Sequence, residues 1–208
     1  MVGTKQLTAA DKARAGALTD IPIVILAGGK STRMGRDKLA LSFGGTTLLA
    51  ERAAEFRARF ANVYLSVAAA DSYPEIDCAR IIDSVERCGP MGALYSALSQ
   101  LKSGVFLCAG DMPYASSEAA LRLLEQVQPS GADIVWAEPT FAYYAESVLA
   151  VAGAHIASRD YKLRGLIPEL WSVYYELPER ELFNVNTPED YALLNRGVET
   201  GQAQLRRK

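Results

Sequence analysis

The sequence predicts a single-domain α/β protein in which helices cover both faces of a mostly parallel sheet, a three-layer α/β/α arrangement. Short apolar runs alternate with segments of helical period from Ile23 to Trp136. This alternation is typical of parallel strands joined by crossover helices. The length of 208 residues suits one sizeable core, and half of the residues are hydrophobic, which predicts a globular chain.

The first half of the chain gives the clearest strands and helices. Strands are predicted at Ile23–Leu26, Val63–Val67, Arg80–Ile82 and Val105–Ala109. One helical face is formed by Leu49, Ala53, Phe56 and Phe60. A second helix starts at Pro90 and turns Met91, Leu94, Leu98 and Leu101 inward.

The second half continues with shorter elements. We expect helices at 117–127, 147–157 and 163–170 and strands at 134–136, 141–144 and 172–175. A last helix has Thr187 as its N-cap and Pro188 at its first position, and ends at residues 195–197. We predict a flexible extension over residues 1–20, one domain over 21–197 and a polar tail over 198–208.

Composition excludes several classes of protein. A net charge of −2 disfavours a broad nucleic-acid surface, and no apolar run approaches the roughly 20 residues that span a bilayer. The first 20 residues lack the apolar core of a secretory signal, and three cysteines without CxxC spacing favour a reducing compartment. We therefore expect a cytoplasmic protein that binds neither nucleic acid nor membrane.

A glycine- and cation-rich loop follows the first strand. Residues 28–38 contain Gly28, Gly29, Gly35, Ser31, Thr32, Lys30, Arg33, Arg36 and Lys38. Glycines let backbone N–H groups approach a ligand closely, and cations neutralise a charged one. The loop fits neither GxxxxGK[ST] nor GxGxxG, so it predicts a polyphosphate site of another design.

Two aspartates follow predicted strands at the same edge of the sheet. Asp83 ends the third strand, and Asp111 comes just after Val105–Ala109. Ligands of open parallel sheets bind at this edge, and Mg²⁺ takes one or two carboxylates together with phosphate oxygens. Asp111 is the better metal candidate because a buried strand fixes its position, although an aspartate after a strand also commonly forms a turn.

Five segments, in order, resemble the molybdenum cofactor guanylyltransferases of the nucleotidyltransferase superfamily. They are LAGGKSTRMGRDK at 26–38, IIDS at 81–84, CGPMGAL at 88–94, AGDMP at 109–113 and FNVNTPED at 183–190. The resemblance covers residues 21–195 and implies a Rossmann-like nucleotidyltransferase sheet. It also implies GTP and molybdopterin as substrates, Mg²⁺ as cofactor, and transient contact with cofactor-biosynthesis proteins and acceptor molybdoenzymes.

The resemblance also implies which residues form the site. Lys38, Arg33 and Asp111 match catalytic positions, with Asp111 as the metal ligand. Nucleotide or pterin contacts carry over to Leu26, Ala27, Gly28, Gly29, Lys38, Ser66, Asp83, Asp111, Asn184 and Asn186. The segment around Glu138 departs from relatives, which often have His or Gln before the proline, and its turn is short.

Three alternatives remain open from the sequence. A CTP-dependent molybdopterin cytidylyltransferase would share the chemistry, and Gly28–Gly29 favours guanine only through the resemblance. Another small-molecule nucleotidyltransferase, such as one for sugar phosphates, usually has a longer insertion after the glycine loop. A nucleotide-binding module without turnover is disfavoured by the presence of both Lys38 and Asp111.

Overall fold

The computed structural model describes residues 19–28 and 37–199, with side chains as far as residue 195. Its strands are β1 (Ile23–Leu26), β2 (Ser42–Phe43), β3 (Thr46–Thr47), β4 (Val63–Val67), β5 (Ala79–Ile82), β6 (Val105–Ala109), β7 (Ile134–Glu138), β8 (Phe141–Tyr144) and β9 (Ser172–Tyr174). Its α-helices are α1 (Leu48–Arg57), α2 (Gly89–Leu101), α3 (Ser117–Leu124), α4 (Val127–Ser130), α5 (Val148–Ala157) and α6 (Pro188–Glu199). Three 3-10 helices cover Lys38–Ala40, Leu163–Glu169 and Glu179–Leu182.

The main sheet has the strand order β5-β4-β1-β6-β8-β7-β9. All neighbouring pairs are parallel except those that β8 makes with β6 and β7, which are antiparallel. From β1 the chain adds β4 and β5 on one side, and then returns to place β6 on the other. A topological switch point therefore lies between β1 and β6, where open sheets of this kind form a crevice for ligands.

Apolar side chains cover both faces of this sheet. Successive residues of β1 contribute to opposite faces of the sheet: Ile23 and Ile25 belong to one apolar layer and Val24 belongs to the other. Helices α1 and α3 pack in the first layer, and α2 and α5 pack in the second. The predicted three-layer architecture and mostly parallel sheet are thus confirmed.

The predicted strands all form, but several helix boundaries differ. The helix predicted over 117–127 ends at Leu124 and is followed by the short α4, in which Pro129 lacks the N–H that a continuous helix would need. The segment predicted as a helix at 163–170 is a 3-10 helix containing Pro168. The last helix continues through Gly197 to Glu199, because one internal glycine weakens a helix by about 1 kcal/mol without ending it.

The small antiparallel β2–β3 ribbon was not predicted from the sequence. Residues 1–18 and 200–208, which hold most of the predicted extension and tail, lie outside the described residues, so the domain boundaries stay predictions. In the part of the chain that the structure describes, no helix is both long and apolar enough to cross a membrane.

Candidate active site

The ends of β1 and β6 lie unusually close together. The N–H of Gly110 donates to the carbonyl oxygen of Leu26 at 3.1 Å. A Cβ atom at position 110 would lie 2.7 Å from that same oxygen, so only glycine permits this approach. The close contact brings Asp111, the next residue, beside the start of the glycine-rich loop.

Lys38 is held by the short 3-10 helix that it begins. The Asp37 carboxylate caps this helix by accepting a 3.0 Å hydrogen bond from the N–H of Leu39, and the Tyr73 hydroxyl donates to the other Asp37 oxygen at 2.7 Å. The Leu39 side chain is buried in the core. The position of the Lys38 backbone is therefore fixed from both sides.

The side chain of Lys38 joins two other predicted site residues. Its ammonium forms an ion pair with the Asp111 carboxylate and donates a 3.1 Å hydrogen bond to Oδ1 of Asn186. The Lys38 and Asp111 side chains are 24% and 12% exposed. A mostly buried cation and carboxylate that still reach solvent suit a charged ligand that binds and leaves.

The segment before α6 is attached to the same cluster. The N–H of Val185 donates to the carbonyl oxygen of Asp111 at 2.9 Å, and Val185 is fully buried. One Asp190 oxygen accepts from the N–H groups of Asn186 and Thr187 at 2.9 and 2.8 Å. Partial burial alone would raise the pKa of Asp190, but these hydrogen bonds lower it below the usual carboxyl range.

A second pair lies on the other side of the switch point. The Ser66 hydroxyl, fully buried on β4, donates to Oδ1 of Asp83 at 2.6 Å. Oδ2 of the same carboxyl lies 3.3 Å from where a Cβ on Gly28 would stand. Burial raises the pKa of Asp83, and the Ser66 hydrogen bond opposes part of that shift.

We expect Asp83→Asn to raise the melting temperature at pH 7. The relevant pH window runs from the usual carboxyl pKa of about 3.9 to the raised pKa of Asp83. Within this window the native state binds more protons than the unfolded state, so the stability of the native state falls as the pH rises. Asparagine has no charge to bury and still accepts from Ser66. Thermal unfolding at several pH values should show a gain that shrinks toward pH 4, and a lower melting temperature at pH 7 would contradict this account.

The remaining predicted residues fall into separate groups. Asn184 donates from Nδ2 to the carbonyl oxygen of Leu182 at 2.9 Å, so the two asparagine amides have different partners. Leu26 is partly buried and Ala27 is buried, with the N–H of Ala27 donating to the Ser66 carbonyl oxygen. Gly29 and Arg33 lie outside the described residues, and their placement stays a prediction.

The donor set around Asp111 fits one type of metal ion. Among the described residues no group of three or more His, Cys, Asp or Glu side chains could form a metal cage. Mg²⁺ does not need such a cage, since it takes one or two protein carboxylates and fills its octahedron with phosphate oxygens and water. A single carboxylate such as that of Asp111 meets this requirement.

Sequence reasoning missed two residues that support the cluster. Asp190 stands three positions after the Thr187 cap, the spacing at which an acidic residue accepts from the cap N–H, so a signal was present. Tyr73 gave no signal, because its contact with Asp37 joins segments 36 positions apart in sequence.

The carboxylate of Glu138, the residue that departs from the His or Gln of relatives, lies 3.6 Å from the Arg164 guanidinium.

The site combines a switch point between β1 and β6, a glycine-rich loop and a lysine–aspartate ion pair. This combination defines a nucleotidyltransferase-type α/β domain. Residues 23–170 match the model of the MobA-like NTP transferase domain, and the chain belongs to that family.

Relatives are similar over nearly their whole length. The chain is 31% identical over 183 residues to a molybdenum cofactor guanylyltransferase of Campylobacter jejuni strain RM1221, covering 84% of this chain and 95% of the relative. It is 28% identical over 184 residues to a probable molybdenum cofactor guanylyltransferase of Aquifex aeolicus strain VF5, covering 85% and 92%.

The fold is shared with solved structures. One of them is the molybdopterin-guanine dinucleotide biosynthesis protein A from Archaeoglobus fulgidus, with a TM-score of 0.76 at 21% identity, covering 86% of this chain and 100% of that one.

Proposed function

We propose that this chain transfers GMP from GTP to molybdopterin, or to its metal-loaded form, and releases pyrophosphate to give a molybdopterin guanine dinucleotide. The observation that carries the proposal is the meeting of Lys38, Asp111 and Asn186 at the switch point. The similarity to guanylyltransferases over most of the chain supports the choice of substrates.

The reaction needs positioning and charge neutralisation more than a covalent nucleophile. An oxygen of the molybdopterin phosphate attacks the α-phosphorus of GTP, and the bond from that phosphorus to the bridging oxygen breaks. A phosphate monoester has a second pKa of about 6, so most of it is already deprotonated at neutral pH and no base is required. The negative charge collects on the departing pyrophosphate.

The cationic residues of the chain serve this leaving group. The Lys38 ammonium turns from the Asp111 carboxylate toward the phosphates, where it offsets the charge on pyrophosphate. We assign Arg33 the same role, and the backbone N–H groups at Gly28 and Gly29 the binding of the β- and γ-phosphates. Asp111 would hold Mg²⁺, which would supply charge neutralisation for the phosphates.

The other predicted residues divide between the two substrates. We assign Leu26, Ala27 and Asp83 to the nucleoside, and fully buried Ser66 would act by orienting the Asp83 carboxyl. We assign Asn184 and Asn186 to the second substrate. A cytoplasmic location and transient contacts with cofactor-biosynthesis proteins and molybdoenzymes complete the proposal.

GTP with Mg²⁺ should stabilise the protein, whereas CTP, ATP and UTP should not. A ligand that binds only the native state adds about 2.7 kcal/mol at 100 times its dissociation constant, which gives an easily measured rise in melting temperature. A thermal-shift series with the four nucleotides at equal concentration is the measurement. An equal or larger shift with CTP would favour the cytidylyl alternative and contradict the assignment of guanine.

A further inference from the structure

The start of helix α6 carries a reciprocal hydrogen-bond pattern centred on Asp190. One oxygen of its carboxylate accepts from the backbone N–H groups of Asn186 and Thr187, at 2.9 and 2.8 Å. The Thr187 hydroxyl accepts in return from the N–H of Asp190 at 3.2 Å. These three bonds fix the backbone where the extended segment turns into the helix.

Asn186, which is fixed in this way, and the adjacent Val185 contact Lys38 and Asp111 of the candidate active site. The Asn186 amide oxygen accepts from the Lys38 ammonium at 3.1 Å. The N–H of the preceding residue, Val185, donates to the backbone carbonyl of Asp111 at 2.9 Å. A shift of this turn would therefore move a partner of Lys38 and a partner of Asp111 together.

We propose that Asp190 is a positioning residue, which holds the Asn186 amide against Lys38 and so sets where the lysine ammonium stands. Lys38 has a long side chain with many rotamers, and a fixed acceptor limits the volume that its ammonium explores. The role assigned to Asp190 in turnover rests on the proposed function, because that function gives Lys38 its task.

Asp190 could also act only as a helix cap, and a double-mutant cycle separates the two roles. Asp190→Ala should lower kcat by about 10- to 100-fold, the usual cost of misplacing a catalytic group by about 1 Å, with a smaller change in the KM for GTP. Adding Asp190→Ala to Asn186→Ala should lower kcat by a further factor of less than about two. The hydrogen bond between Lys38 and the Asn186 amide is already absent in that background, so Asp190 has no amide left to position. The fall in melting temperature from the lost cap should appear in both backgrounds.

Matched variants complete the design. Glu189 is an exposed acidic residue in the same helical turn, and it takes part in none of these hydrogen bonds. Glu189→Ala should therefore leave kcat within about twofold of the wild-type value. Asp190→Asn keeps an acceptor oxygen and should restore most of the rate. Should Asp190→Ala fail to fold, Asp190→Ser, which retains a weaker cap, replaces it in the cycle.

A spectroscopic arm tests the contact with Lys38 without any turnover. In a lysine-selective ¹⁵N NMR spectrum, the Lys38 ammonium stays paired with Asp111 in every variant. Its signal should shift in both Asp190→Ala and Asn186→Ala, which lose the contact with the Asn186 amide, and should stay in place in Glu189→Ala. An unchanged signal in Asp190→Ala, or fully additive losses of kcat in the double variant, would overturn the proposal. If wild-type protein released no pyrophosphate from GTP and molybdopterin, the proposed function would fail, and this spectrum would still decide whether Asp190 holds Asn186 against Lys38.

Discussion

Asp111→Asn should lower the rate of GTP-dependent pyrophosphate release by about 1,000-fold, equivalent to about 4 kcal/mol of barrier. The substitution keeps the size and planarity of the side chain but removes the negative charge that pairs with Lys38 and that, under the proposed function, binds Mg²⁺. Several kcal/mol is the usual contribution of a metal ion to a phosphoryl transition state. Steady-state kinetics with molybdopterin as acceptor is the measurement.

The folded state should survive this change. The carbonyl oxygen of Asp111 still accepts from Val185. Removing one partner of a mostly buried ion pair costs up to about 3–5 kcal/mol, so we expect a folded protein with a lower melting temperature. Asp77→Asn is the matched control, since it removes an exposed carboxylate paired with Arg57 and should leave the rate unchanged. A folded Asp111→Asn protein with a near-normal rate would remove Asp111 from the metal site.

Lys38→Met should lower kcat by about 100- to 1,000-fold, as expected when one fixed donor to developing charge is removed. Methionine preserves much of the apolar stem but cannot donate to phosphate, and it leaves the Asp111 carboxylate without its ion-pair partner. The loss should fall mainly on kcat, because charge on pyrophosphate grows in the transition state.

The control for Lys38 is Lys162→Met, which removes an exposed lysine elsewhere on the surface and should have no effect on the rate. Lys38→Arg should recover only part of the activity, because a planar guanidinium presents its charge in a different geometry from an ammonium. Wild-type kcat in Lys38→Met would show that the lysine merely neutralises Asp111.

Local pattern was enough to predict the parts of this site that lie next to strands. Continuous apolar runs located β1 and β6, and the rule that ligands bind at the carboxyl edge of an open sheet then placed Gly28, Asp83 and Asp111 at one edge. The alternation of strands and helices along the sequence was enough to predict the three-layer arrangement. It could not predict that β8 is inserted antiparallel between β6 and β7, because strand order depends on packing across the whole sheet.

Contacts between distant segments account for what sequence reasoning left out. Lys38 and Asn186 are 148 positions apart, and no local signal shows that a loop lysine reaches an asparagine before the last helix. Asn184 and Asn186 were both predicted as ligand contacts, yet one amide bonds to a backbone carbonyl two positions away and the other to Lys38. The hydroxyl of Ser66 is a partner of Asp83 because Ser66 is fully buried on β4, which lies between β5 and β1 in the sheet.

The most direct test of the proposed function is pyrophosphate release by the purified wild-type chain with Mg²⁺, molybdopterin and either GTP or CTP, with the product identified by mass spectrometry. We predict release that requires both GTP and molybdopterin and a product that carries GMP on the pterin phosphate. Release with CTP in place of GTP, or no release from folded protein that binds GTP, would contradict the proposed guanylyl transfer.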